Sequence, residues 1–187
     1  MNDVMTRNVV NGLDLDALGA TVQAIAEDPV LGQVRFSVRT RWDGQTRSTS
    51  KVSGYALGGE QIAREFEIAA DEPLELLGTN TAPNPQELLM AALNACMTVG
   101  YVAGASMQGI TLERLEIETT GQLDLRGFLG LDPSISPGYE ELDYHVRIAG
   151  NGTPEQFEEI HRAVMATSPN YFNLARPIRM NGTLAVG

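Results

Sequence analysis

From Leu88 to Ala105 the chain carries no charged residue, and no other stretch limits the possible folds so tightly. The run sits inside Asn84–Gly109, NPQELLMAALNACMTVGYVAGASMQG, which has the marks of one long helix. Asn84 suits the N-cap and Pro85 the first helical position, where a missing N–H costs nothing. Glu87 falls three residues after the cap, placed to reach back to the cap amide. Gly109 supplies the stop. A helix apolar on every side either spans a membrane or lies at the centre of a fold. The run is roughly at the lower length limit for a bilayer, but Asn94, Thr98, Gly100 and Gly104 dilute it and amphipathic elements follow. A buried central helix is expected.

Around it the hydrophobic pattern alternates between two periods. Leu13, Ala17, Leu18, Val22 and Ile25 recur at helical spacing, ending before Pro29, so residues 1–32 read as a helical arm. Gln33 to Arg41 alternates as a half-buried strand, and Trp42-Asp43-Gly44-Gln45 is a hairpin signal. A polar strand returns over Thr46 to Tyr55, and a third strand runs from Arg64 to Ala70 after Gly58-Gly59. A Pro- and Asn-rich loop leads into the long helix. Beyond it, residues 112 to 125 predict a strand bent at Gly121. Residues 126–139 predict an irregular loop whose Phe128, Leu129 and Leu131 must pack on something: a substrate entrance, a dimer partner or the protein's own core. Leu142 to Ile148 alternates again. Thr153-Pro154-Glu155-Gln156 opens a second helix with a capping box, Ser168-Pro169 closes it, and Pro177 to Val186 predicts a last strand. The order predicts an α+β fold with one domain over 33–187.

Composition removes several function classes. A net charge of −11 argues against nucleic acid or an anionic membrane as partner. The first residues lack the basic and apolar regions of a signal peptide. A lone cysteine, Cys96, excludes an internal disulfide and fits a reducing, cytoplasmic setting. His145 and His161 have no cysteine or second histidine at ligand spacing, so no metal is expected. No glycine-rich phosphate loop follows a strand, so no cofactor is expected either.

A lone cysteine in a buried helix is ordinarily packing. The words around this one point elsewhere, because NPQELLMAALNAC resembles the OsmC/Ohr family, whose motif is Asn-Pro-Glu-x-Leu followed by small and apolar residues and a cysteine. The resemblance extends over roughly residues 33 to 187. It implies an OsmC-like fold, with two small antiparallel sheets around the long central helix, in an intertwined homodimer. It also implies thiol-dependent reduction of organic hydroperoxides. Cys96 matches the peroxidatic cysteine. An activating arginine from the N-terminal hairpin falls on Arg47 or, as second choice, Arg41. The glutamate that would hold it falls on Gln86, which is neutral, while neighbouring Glu87 is turned about 100° away around the helix and fits a cap better. The resolving cysteine falls on Ser168, which cannot form a disulfide. Two readings stay open. One is a one-cysteine peroxidase reduced by an external thiol. The other is a non-catalytic dimer that binds a small hydrophobic molecule, with Cys96 as packing.

Overall fold

Packing divides the chain into two compact units, residues 1–91 and 92–187, with the division falling inside the long helix. The computed structural model describes residues 8–187, so the first seven residues of the expected arm lie outside the described residues. In the N-terminal unit, β1 (Val9–Val10) and β2 (Leu13–Asp14) form a two-residue ladder that turns at Asn11-Gly12, both at positive φ. This small hairpin delays the first helix, α1 (Leu15–Glu27), which Asp14 caps by accepting the N–H groups of Asp16 and Ala17.

A four-stranded antiparallel sheet follows: β3 (Val34–Phe36), β4 (Arg39–Trp42), β5 (Ser48–Leu57) and β6 (Glu60–Ala70). The single strand expected over Gln33–Arg41 is split in two. The cause lies in its partner. Val34 pairs with Leu57 but Arg39 pairs with Lys51, so β5 carries one extra residue between the two ladders. The pairing of β5 with β6 shifts at the same place, between Val52 and Gly54. Gly54 has φ +150, and a Cβ there would stand 2.6 Å from the Ile62 carbonyl oxygen, so this bulge requires glycine. Gly58-Gly59, at φ +57 and +87, makes the tight turn into β6.

Beyond β6 the chain is fixed by one buried carboxylate. Asp71, 1% exposed, accepts hydrogen bonds from the hydroxyls of Thr46, Thr79 and Thr81 and from the backbone N–H groups of Glu72, Thr79 and Thr81. The Thr79 hydroxyl is the largest of the causes that hold this carboxyl far below the usual aspartate range. The polar knot ties the loop that leads into the long helix. By contrast, the unit fully buries no apolar side chain among the described residues, and Phe36, Trp42 and Phe66 are 63%, 73% and 58% exposed.

The long helix, α2 (Pro85–Met107), starts as its sequence predicts: Glu87 N–H donates to Asn84 Oδ1, and Asn84 N–H donates to Glu87 Oε2. It is a core helix whose buried apolar side chains run along one edge, Leu93, Met97, Tyr101 and Ala105, each four residues from the last, with Ser106 buried beside the end of that line. In the C-terminal unit that edge meets Ile110, Ile160 and Val164, and one face of a two-stranded sheet adds Leu115, Ile117, Tyr144, Val146 and Ile148. The sheet is β7 (Leu112–Thr120) against β8 (Asp143–Gly150), and between them lies α3 (Leu125–Phe128). The helix α4 (Pro154–Thr167) has the expected capping box and lies close on α2, because Gly100 and Gly104 leave room for Val164 and Ile160.

Three expectations need correction. The strand over 112–125 stops at Thr120, because Asp124 takes the Arg126 N–H and caps α3 instead. Phe128, Leu129 and Leu131 are not buried in the chain's own core but are 63%, 60% and 71% exposed. The segment Pro177–Val186 forms no strand, since an alternating pattern becomes a strand only where a neighbouring strand supplies the ladder. Ser168-Pro169 does end α4, and the same pair starts an additional short helix, α5 (Pro169–Ala175).

Candidate functional site

Cys96 lies in the C-terminal unit on α2, one residue before the buried Met97 and three after the buried Leu93. It is turned off the helix's buried edge and remains half-exposed as a free thiol. Ser168 comes to it from the junction of α4 and α5. Its hydroxyl donates to Cys96 Sγ at 3.4 Å, and the residue itself is 5% exposed. Nearby, Asn170 donates its side-chain amide to the Ala92 carbonyl at 2.8 Å, which fastens the start of α5 to α2. Asn94, on the next turn, accepts from the Thr119 hydroxyl and donates to the Ile117 carbonyl. The thiol therefore sits on a helix held to the sheet by polar contacts on one flank and to α5 on the other. The sulfur has a hydrogen-bond donor fixed against it.

Arg41, Arg47 and Gln86 belong to the N-terminal unit. The two arginines gather around Asp43 in the hairpin between β4 and β5. Arg41 Nε pairs with Asp43 Oδ1 at 2.9 Å while its side chain is 79% exposed. Asp43 also accepts the Thr49 hydroxyl, the largest of the effects that hold its carboxyl below the usual range, ahead of Arg41. Arg47 makes a single longer contact, Nη2 to the Asp43 carbonyl at 3.3 Å. It lines a cavity of about 310 Å³ with Asp43, Thr49, Ala69 and Thr81. The hairpin thus ranks the two candidates: Arg41 is committed to a carboxylate, and Arg47 faces open space. Gln86 is half-buried in the first turn of α2, and Glu87 is occupied as the cap partner of Asn84.

A second feature of the C-terminal unit escaped sequence reading. The buried Tyr101 hydroxyl forms a very short hydrogen bond to His161 Nδ1, and burial pushes the tyrosine up to about 12. The Tyr144 ring lies tilted against His161, and its hydroxyl donates to Met165 Sδ at 2.7 Å. These rings border a cavity of about 510 Å³ whose wall includes Tyr144, Val146, Ile148, Phe157 and His161. No linear signal joins Tyr101 to His161, because 60 residues separate them. Among the described residues no group of His, Cys, Asp or Glu side chains is arranged to hold a metal ion.

Comparison with known proteins places this arrangement. The family model described as OsmC-like protein matches residues 78–181, more than half of the chain. Among solved structures, an OsmC-like protein from Mycoplasma pneumoniae superimposes with a TM-score of 0.57 at 19% identity, covering 75% of this chain and 87% of that one. A putative osmotic stress induced and detoxification response protein from Psychrobacter arcticus gives 0.56 at 17%, covering 75% and 88%. An OsmC-like protein of unknown function from Vibrio cholerae gives 0.53 at 16%, covering 74% and 92%. These likenesses establish the fold. No curated protein matches the sequence significantly.

Proposed function

The chain belongs to the OsmC-like protein family, and from that premise we propose that it is a one-cysteine thiol peroxidase acting on organic hydroperoxides in oxidative-stress defence. One observation carries the reading. Cys96 is only half-buried beside the fully buried line of Leu93 and Met97, with a buried hydroxyl donating to its sulfur. A packing cysteine has no use for either feature. In the reaction the sulfur attacks the distal peroxide oxygen. An S–O bond forms, the O–O bond breaks and the alcohol leaves, with Cys96 oxidised to a sulfenic acid. Ser168 offers no thiol, so an external thiol reduces that acid, first as a mixed disulfide with loss of water and then by exchange with a second thiol. Arg47 is the proposed cation that favours the reacting thiolate.

The working form in this proposal is a homodimer. Support comes from the apolar side chains that the single chain leaves open on the N-terminal sheet, and from Val99 on α2, 70% exposed. Sedimentation velocity is expected to give a mass of two chains, and a monomer at micromolar concentration removes this part of the proposal.

The decisive test is consumption of cumene hydroperoxide in the presence of a dithiol, with Cys96→Ser as control. Turnover by the wild type that vanishes in Cys96→Ser is the expected result, and Arg47→Met is expected to lower the rate by about 10²-fold or more. If the wild type is as inactive as Cys96→Ser, the peroxidase reading fails. A second reading, binding of a small hydrophobic molecule, draws on the cavity beside Tyr144 and Phe157. It predicts that an apolar fluorescent probe binds the wild type and is lost on Val146→Trp, whatever the state of Cys96.

A further inference from the structure

We propose that Ser168 is a positioning residue for the chemistry of Cys96: it holds the sulfur in one orientation and stabilises the negative charge it carries as a thiolate. The inference rests on the proposed reading of Cys96 as the reacting thiol. Ser168 is fixed on three sides. Its N–H donates to the Val164 carbonyl at 2.8 Å, Pro169 follows it at the first position of α5, and its side chain is buried. The hydroxyl has one proton and two lone pairs. Capping α5 uses a lone pair, because Ser168 Oγ accepts the Tyr171 N–H at 3.4 Å. The proton is left for an acceptor, as buried hydroxyls require, and the acceptor within reach is Cys96 Sγ at 3.4 Å.

The Ser168 proton, which the cap leaves unused, points at the sulfur, and that direction gives the hydrogen bond a function. A donor aimed at sulfur gains strength when the sulfur becomes anionic, so it favours the reactive form over the resting one. After oxidation the same hydroxyl faces a sulfenic acid. Oxygen at this position cannot displace the sulfenic oxygen to make an S–S bond, whereas sulfur could: a thiol there would attack Cys96, releasing water and closing a disulfide. Ser168 therefore supports the first step and leaves the second to an outside thiol.

Single-turnover oxidation of the full chain by cumene hydroperoxide, followed by dimedone trapping and mass spectrometry, tests this. Ser168→Ala is expected to slow the first oxidation by about tenfold or more, the scale of one charge-assisted hydrogen bond. Ser168→Thr, which keeps both hydroxyl and cap, is expected to stay within about threefold of wild type. Ser168→Cys is expected to lose dimedone labelling after peroxide and to become lighter than its sulfenic acid by one water, as an intrachain disulfide. A Ser168→Ala chain that oxidises at the wild-type rate overturns the proposal. So does a folded Ser168→Thr chain as slow as Ser168→Ala, the folding of each variant being read by circular dichroism. Should Ser168→Ala fail to fold, Ser168→Cys decides: persistent dimedone labelling means that the two side chains do not meet as described. A wild type inert to peroxide sinks the peroxidase reading itself, a different outcome from any of these.

Discussion

The two units of the molecule are held together by opposite means. The C-terminal unit buries a line of apolar side chains, Leu93, Met97, Tyr101 and Ala105, against Ile160 and Val164. The N-terminal unit buries a carboxylate, Asp71, ringed by threonines and backbone amides, and leaves both β3 and β6 with large exposed apolar residues. Burial of a Met or Ile contributes about 1.5–3 kcal/mol each, so the first unit has a driving force of its own. A hydrogen-bonded carboxylate fixes a conformation but adds little net stability beyond the cost of desolvating it. The difference shows which surface the proposed homodimer would cover: the sheet that buries no apolar side chain of its own among the described residues.

The largest expected effect tests the first half of that contrast. Met97→Ala leaves a void in a fully buried position and is expected to cost about 2–5 kcal/mol in urea unfolding; a loss below 1 kcal/mol would mean that the core is loosely packed. Asp71→Asn comes next. It removes the charge that organises six donors, and the amides of Thr79 and Thr81 are expected to exchange about tenfold faster or more. The pH dependence has a definite sign. The folded carboxyl is held far below its ordinary 3.8, so its contribution is fully present above that value. It declines as the pH falls below that value and is gone once the pH has passed through the depressed one. The Thr79 and Thr81 amide resonances of the wild type should therefore stay in place down to about pH 3; movement near pH 4 would show an ordinary, unorganised aspartate.

Gly100→Ala is a smaller probe. The new Cβ would lie 3.0 Å from Val164 Cγ2, and buried Val164 has a stiff χ1 with little room to yield. Overpacking of about 1–3 kcal/mol is offset in part by about 1 kcal/mol of helix propensity. A net loss near 1 kcal/mol is expected, and a gain would show that α4 can move away from α2. The smallest effect should come from Phe66→Ala in the N-terminal sheet. At 58% exposure in the single chain, it is expected to change the stability of an isolated chain by no more than about 0.5 kcal/mol. In the proposed homodimer the same change should weaken association measurably. Equal effects on both would erase the contrast between the units.

Much of this molecule was legible in its sequence, and the parts that were not share a cause. Local chemistry announced itself. The capping boxes of α2 and α4, the Gly58-Gly59 turn, the alternation of β8 and the stop at Ser168-Pro169 all depend on residues within a few positions of one another. Cys96 and its motif could be read for the same reason. Elements that depend on a distant partner could not. The bulge that splits β3 from β4 is imposed by Gly54 and Ile62. Pro177–Val186 has the alternation of a strand and no ladder to join. The Asp71 knot reaches back 25 residues to Thr46 and forward to Thr79 and Thr81, and none of them looks unusual in a row of letters.

The sequence by itself determined that this is an α+β chain built on a long uncharged helix with one cysteine, because periodicity, caps and composition are properties of neighbouring residues. It also determined that no disulfide cycle can operate within the chain, since a second cysteine is simply missing. The tertiary structure decided that Cys96 stands off the buried edge of α2, that Ser168 turns its proton toward that sulfur, and that the Asp43 carboxylate pairs with Arg41 while Arg47 reaches only the Asp43 carbonyl. Those are questions of which side chains meet across distances of up to 72 residues. Contact, exposure and the direction of a hydrogen bond come into being only when the chain has folded.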